Sequence, residues 1–253
     1  MIQKLRLIQR AHRYRTRHDP AEIAHIRRLL SPGCVALDIG AHKGAYTYWL
    51  SRSVAPGGRV IAIEPQRELA DRLVDLYHSR PGVEIRHGAV GSESGTVTLH
   101  IPGQGPSHGA TIRGPESEQK SGGTVMRAVE VPCSTLEGLA DVYGLTRLDL
   151  IKCDTEGAER DIFRAGAVVL ERFRPAVLVE CERRHHGDGS DPVAELWAIF
   201  RAQGYDGHCF CGGKLVPIAE FDYDTHQRDP DDKPNYGNNF LFTHPQGPAQ
   251  AGG

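Results

Sequence analysis

The stretch "ALDIGAHKGAYT", Ala36 to Thr47, carries a short apolar run into an aspartate at 38 and then glycines at 40 and 44. An apolar run of this length, closed by glycine, predicts a buried strand, and the following "GAYTYWLSRSV" predicts a helix. A strand that turns through glycine into a helix lies at the carboxyl edge of a parallel sheet, where open α/β folds hold ligands. There Gly40 permits close backbone approach, Gly44 lets the next helix pack tightly, and the helix start offers free N–H groups. Asp38 narrows the ligand, because a carboxylate just ahead of such a turn repels a pyrophosphate and suits a cation.

Reading outward, "RVIAIE" (59–64) predicts a second strand ending in Glu64. The apolar stripe in "ELADRLVDLYHSR" predicts a helix, and "VEIRHGAV" supplies a third strand. This alternation implies right-handed parallel crossovers. An acid closing the second strand can accept both hydroxyls of an adenosine ribose, a role NAD would use equally well. Gly88 and Ala89 can place a backbone N–H beside the adenine edge. The candidate cofactor-binding residues are therefore Asp38, Gly40, Ala41, Gly44, Thr47, Glu64, Gly88 and Ala89.

Further along, "GTVTLHI" (95–101) and "VMRAVEVPC" (125–133) read as strands bracketing "PGQGPSHGATIRGPESEQKSGG", a hairpin-like insertion with a mobile loop. "STLEGLADVYG" reads as a helix opened by a capping box of Ser134 and Glu137. "RLDLIKCD" and "PAVLVE" are strands ending in carboxylates, and "EGAERDIFRAGAVVLERF" between them is helical around a break at Gly166. "DPVAELWAIFRAQG" is a helix, and "YDGHCFC" and "NNFLFTH" form a last antiparallel pair joined by an acidic loop from about Lys214 to Asn238. The expected division is a basic helical extension over 1–30, one α/β domain over 31–244 and a disordered tail over 245–253.

Composition fits an ordinary folded chain: 39% hydrophobic, 25% charged and a formal net charge of -2 over 253 residues. Six cysteines with no CxxC pair suit a reduced cytoplasm, and the first residues lack a secretory apolar core. Residues 1–30 hold eight Lys/Arg against Asp19 and Glu22, which leaves the remainder acidic. Ile2, Leu5 and Ile8 recur at helical spacing within them, so residues 1–18 are a candidate for peripheral contact with an anionic membrane, a phosphorylated substrate or RNA. The plainer expectation is a helix packed on the domain's own acidic surface.

The pieces "DIGAHKGAYT", "AIEP", "GAVGSESGTVTL", "STLEGL" and "LIKCDTEGAERDIFRAGA" resemble the FkbM family of S-adenosylmethionine-dependent methyltransferases, from about Val35 to Phe242. The resemblance implies a Rossmann-like class I methyltransferase fold, with a seven-stranded mostly parallel sheet of order 3-2-1-4-5-7-6 and helices on both faces. It also implies S-adenosyl-L-methionine as cofactor and O-methylation of a hydroxyl on a sugar, polyketide or related natural product. Asp38, Gly40, Gly44 and Glu64 match the family's cofactor positions, while His42 stands where Asn is common. The acceptor must lose a proton, so a base or a metal is expected near the ends of the fourth and fifth strands. Candidate bases are His186, His108 in the insertion loop and Asp154; Asp154 and Glu180 are candidate ligands for Mg²⁺. Competing readings are an NAD(P)-dependent oxidoreductase, disfavoured by the missing GxGxxG, and an RNA-directed methyltransferase or binding module. RNA binding would favour aromatics among the N-terminal arginines, where Tyr14 stands alone, so no nucleic-acid partner is expected. A homodimer is a plausible assembly, and the acceptor's identity is left open.

Overall fold

The structure, a computed structural model, describes residues 2–113, 125–186, 189–232 and 235–248. Part of the insertion loop (114–123) and the end of the expected tail (249–253) lie outside these residues.

The glycine-bounded run forms β1 (Val35–Ile39), followed by α3 (Ala45–Ser53), β2 (Arg59–Glu64), α4 (Arg67–Tyr77) and β3 (Val83–His87). β7 (Leu150–Cys153) and β8 (Ala176–Glu180) continue the parallel sheet, and β9 (Asp206–Cys211) and β11 (Asn239–Thr243) join it antiparallel. The sheet order is β10-β9-β11-β8-β7-β1-β2-β3, so the seven expected strands stand in the expected order. An eighth, β10 (Lys214–Pro217), is added at the edge. The expected acidic loop thus opens as a strand, because "GG" at 212–213 turns the chain back onto β9.

Gly88 divides the third expected strand. β3 ends at His87, and β4 (Ala89–Val90) leaves for a second sheet of order β4-β6-β5. There β5 (Gly95–Pro102) and β6 (Met126–Ser134) form the expected hairpin, paired from Gly95–Cys133 to Pro102–Met126. α5 (Leu136–Val142) is capped by Thr135, whose hydroxyl accepts from the Gly138 N–H, rather than by Ser134. The break at Gly166 separates α6 (Glu159–Ala165) from α7 (Ala167–Phe173), and α8 (Pro192–Ala202) begins at its proline.

The period of two along each strand sorts the sheet into two faces. Val35, Leu37, Ile39 and Ile151 face the layer of Leu139, Phe163, Phe173 and Phe200 from α5 to α8. Ala36, Leu150 and Leu178 face the opposite layer, where Trp49 and Leu50 of α3 meet Ile23 and Ile26 of α2 (Pro20–Leu29). Ahead of α2, α1 (Ile2–Arg13) runs into a π-helical turn at Tyr14–His18. This N-terminal segment is fastened to α3: the Trp49 indole N–H donates to the Ala11 carbonyl at 2.8 Å, and the Tyr46 hydroxyl donates to Asp19 Oδ2 at 2.8 Å. It therefore covers the same face that carries Ala36 and Leu150.

Candidate functional site

The strand period also decides which polar side chains meet. Asp38 shares a face with Ala36; its ladder neighbours are Ala62 of β2 and Lys152 of β7, and Glu64, Asp154 and Glu180 close their strands or the turn beyond on that same face. The carboxyl edge of the sheet is thus a row of acids around one buried ammonium. Above it lies a cavity of about 290 Å³, close to the smallest that small-molecule sites use.

The turn after β1 makes the cavity's inner wall. Gly40 has φ +76°, and a Cβ there would stand 1.8 Å from the Asp154 carbonyl oxygen, so this position excludes any side chain. At Gly44, with φ +78°, a Cβ would come within 2.7 Å of the Leu73 side chain, which would have to shift. His42 adopts φ +49°, a left-handed conformation that histidine tolerates better than most residues.

Glu64 lines the cavity at the end of β2. Its carboxylate accepts the N–H of His42 at 2.6 Å and of Gln66 at 2.8 Å, which aims it and leaves further lone pairs for a ligand. Burial pushes its pKa up to about 7 against the pull of those two bonds. Gly88 and Ala89 border the same end of the cavity, and the Gln66 side chain ties the insertion down by bonding Ser107 at both ends of its amide.

Asp38 does not line the cavity. Its place in the strand period turns the carboxylate beneath α3, where it is fully buried, accepts the Thr47 hydroxyl at 2.5 Å and has one oxygen without a partner. Thr47 and Gly44 likewise support the turn from below rather than face the cavity. Asp38, expected to meet the ligand's positive charge, thus stands behind the lining, whose acids are Glu64, Asp154, Glu156, Glu180 and Asp19.

Lys152, met in the sequence only as the lysine of "LIKCDTEGAE" and given no role there, holds this row together. Its ammonium donates to Asp154 Oδ2 at 3.1 Å and to the Gly40 carbonyl at 3.3 Å. Burial alone would discharge it, but Asp154, Asp38 and Glu180 keep its pKa above the usual lysine value. Glu180, half-buried and desolvated beside Asp154 and Glu156, is driven well above the usual carboxyl range and accepts from the Asn238 amide at 2.8 Å. Glu156 pairs with His185 at 2.9 Å.

The expected bases separate. His108 lines the cavity, with its ring centroid 4.1 Å from that of His42 and no hydrogen-bond partner among the described residues. Burial and the nearby Lys43 lower its pKa, so it is neutral at pH 7. Asp154 also lines the cavity, committed to Lys152. His186 lies outside it: the Arg113 guanidinium holds its Nδ1 at 2.7 Å, and burial with Arg160 and Arg113 lowers its pKa to about 3. The donor set does not fit Mg²⁺ either. Lys152 already occupies the cationic place beside Asp154, the carboxylate expected to share the ion with Glu180.

Sequence reasoning also missed the outer wall. Arg10, Tyr14, His18 and Asp19 of the N-terminal segment line the cavity, together with Arg184 and Asn238 from the far end of the chain. The basic segment was legible as a helix, but the anchors that bring it here, Trp49 and Tyr46, are contacts that spacing does not reveal. Its contribution sets Arg10 beside Lys43, to whose carbonyl it donates, and adds Asp19 to the acids around Lys152, so the cavity is lined by charges of both signs.

A family model described as the methyltransferase FkbM domain matches residues 38–206. The chain is 24% identical over 209 residues to the AMB antimetabolite synthetase AmbE of Pseudomonas aeruginosa, covering 70% of this chain and 10% of that protein. It is 27% identical over 157 residues to the methyltransferase sdnD of Sordaria araneosa, covering 51% of this chain and 58% of that one. The chain thus spans less than two thirds of either relative. Among solved structures, the methyltransferase FkbM from Methylobacillus flagellatus KT superposes with a TM-score of 0.50 at 13% identity, over 85% of this chain and 44% of its own. That likeness confirms the Rossmann-like fold. Among the described residues, no helix is long and apolar enough to cross a membrane.

Proposed function

The chain belongs to the FkbM family of S-adenosylmethionine-dependent methyltransferases, and we propose that it transfers the methyl group of that donor to a hydroxyl oxygen of a small molecule, a sugar, polyketide or glycoside. The observation that carries this reading is Glu64, a buried acid held by two backbone N–H groups at the edge of a bipolar cavity. A carboxylate so aimed accepts the two hydroxyls of a ribose. The bipolar lining suits a zwitterion that carries a carboxylate and a positive centre. A diphosphate would meet five acids in the same space against four cations, two of which, Lys152 and Arg184, are already paired with Asp154 and Glu182.

The residues fit the donor as follows. Glu64 takes the ribose, Gly88 and Ala89 border the base, and the Gly40–Ala41 backbone admits the chain between them. When bound, S-adenosylmethionine supplies an electrophilic methyl group on a sulfonium. The protein's part is to align the acceptor oxygen and take its proton. His108 is the proton acceptor in this reading, because its imidazole is neutral and unbonded, whereas the Asp154 oxygen nearest Lys152 is already neutralised. Lys152 holds the Asp154 carboxylate in place through its bond to Oδ2, so that in this reading Asp154 orients the acceptor hydroxyl.

Titration calorimetry with S-adenosylmethionine and with NAD tests the assignment. Binding of the first and not the second is expected, and a preference for NAD overturns it. His108→Ala should lower turnover by about 10²–10⁴-fold with donor affinity unchanged; full activity would remove His108 as the base.

A further inference from the structure

Between α1 and α4 runs a second depression, of about 370 Å³, that opens beside the cavity. Arg6 and Arg10 reach it from α1, Lys43 from the turn after β1 and Arg72 from α4, over a floor that includes Leu69, Leu73 and Leu76. Helical spacing puts Gln3, Arg6 and Arg10 on one face of α1, and Leu69, Arg72 and Leu76 on the facing side of α4. Among the described residues, no acid lines the groove. Arg72 has a carboxylate at 3.7 Å, from the exposed Glu68, while Arg6, Arg10 and Lys43 have no acidic partner among the described residues. Arg10 instead donates to the Lys43 carbonyl at 3.3 Å, which pulls the cations together rather than apart. Burial, with Arg10 and Arg72 nearby, pushes the Lys43 ammonium below its usual pKa, a mark of uncompensated positive charge. The neutral His42 adds a buried Nε2 without a partner at the same wall.

We infer that this groove is a phosphate-binding site, in which Arg6, Arg10, Lys43 and Arg72 surround a phosphoryl group. Guanidinium groups match phosphate oxygens in pairs, and a dianion relieves the repulsion among four cations, of which only Arg72 has a carboxylate partner among the described residues. Arg10, His42 and Lys43 wall both depressions, so a molecule anchored here by its phosphate extends toward the reaction cavity. That last step rests on the function proposed above, whereas phosphate binding itself does not. The phosphate belongs either to a soluble acceptor or to a lipid headgroup. For the second source, α1 also exposes Ile2, Leu5 and Ile8, at 66%, 54% and 38% of their surface.

The full chain and its Arg6→Ala/Arg72→Ala variant, which leaves the reaction cavity untouched, are titrated with inorganic pyrophosphate and with S-adenosylmethionine. They are also sedimented with phosphatidylglycerol and with phosphatidylcholine vesicles. Pyrophosphate binding that weakens with salt and falls at least about tenfold in the variant, with donor affinity unchanged, supports the site. Phosphatidylglycerol sedimentation lost in the same variant points to a lipid source, and its absence alongside pyrophosphate binding points to a soluble one. The inference is overturned if neither pyrophosphate nor phosphatidylglycerol is bound, if the variant binds as the parent does, or if it loses the donor but keeps pyrophosphate. If the parent chain ignores S-adenosylmethionine while pyrophosphate still depends on the two arginines, the proposed function fails and this site stands.

Discussion

The turn at residues 40–44 and the helical segment at residues 10–19 wall the same cavity, yet they reach it by opposite routes. The turn is placed by its own covalent neighbours: β1 ends, Gly40 adopts φ +76°, and the backbone has nowhere else to go once Asp154 stands behind it. The helical segment is placed by side chains more than 25 residues away, through Trp49 to Ala11 and Tyr46 to Asp19. The first wall is therefore as stable as the sheet itself. The second is held by a few bonds and can loosen while the sheet stays folded. Donor binding, on the side of the turn, should be robust, and selection of the acceptor should depend on the clip.

The largest expected effect lies where both walls meet the sheet, at Lys152. Lys152→Met removes the ammonium that compensates Asp38 and Asp154 and leaves buried acids facing one another. We expect a loss of about 3–5 kcal/mol in denaturant unfolding at pH 7, as for a buried ion pair broken on one side. Burial holds the Asp38 and Glu180 carboxyls above their usual range, so lowering the pH protonates them and the deficit should shrink. A deficit independent of pH would mean that Lys152 acts by packing over the Tyr46 ring, 5.2 Å away, and not by charge.

Glu64 sharpens the comparison through a sign. Its folded pKa is raised to about 7, so it is half protonated at neutral pH. Ribose hydroxyls are accepted best by the carboxylate, so donor affinity should fall by up to about tenfold per pH unit below 7. Its contribution to stability runs the other way: a raised carboxyl pKa favours the folded state at low pH, and this contribution is lost as the pH rises through 7. Calorimetry at pH 5.5 and pH 8 separates the two, with Glu64→Gln expected to bind weakly and without this dependence. Equal affinity of the parent at both values would show that Glu64 does not meet the ribose.

The two walls also differ in how far they could be read from sequence. "DIGAHKG" and "AIEP" disclose themselves, because strand ends and glycine turns are set by local sterics, and the acids that close parallel strands necessarily collect at one edge. The period of two was available as well, and applied to Asp38 it would have turned that carboxylate under α3, next to Thr47, instead of into the cavity. It would also have set Lys152 beside Asp38 once β1 and β7 were taken as neighbours. The placement of His186 turned on Arg113, 73 residues away, and that of Arg10 on the anchors in α3. Such pairs follow from packing and leave no spacing rule behind. The insertion was legible as a hairpin, but its third partner, β4, was not, since Gly88 ends one strand and begins another without an intervening loop.

The smallest effect isolates the clip. Tyr46→Phe keeps the buried ring against Tyr14 and Lys152 and removes the hydroxyl that donates to Asp19, whose pKa burial already raises. Leaving that carboxylate short of a partner should cost about 1–2 kcal/mol. If the N-terminal segment is a separately loosened wall, that cost appears as faster hydrogen exchange over residues 2–19, with protection of β1 and β7 unchanged. Donor affinity should change little, because Glu64 and the glycine turn are untouched, while the Michaelis constant for the acceptor should rise. Exchange that quickens equally in β1 would mean that the segment and the sheet open together, and the division into a robust wall and a loosely held one would be wrong.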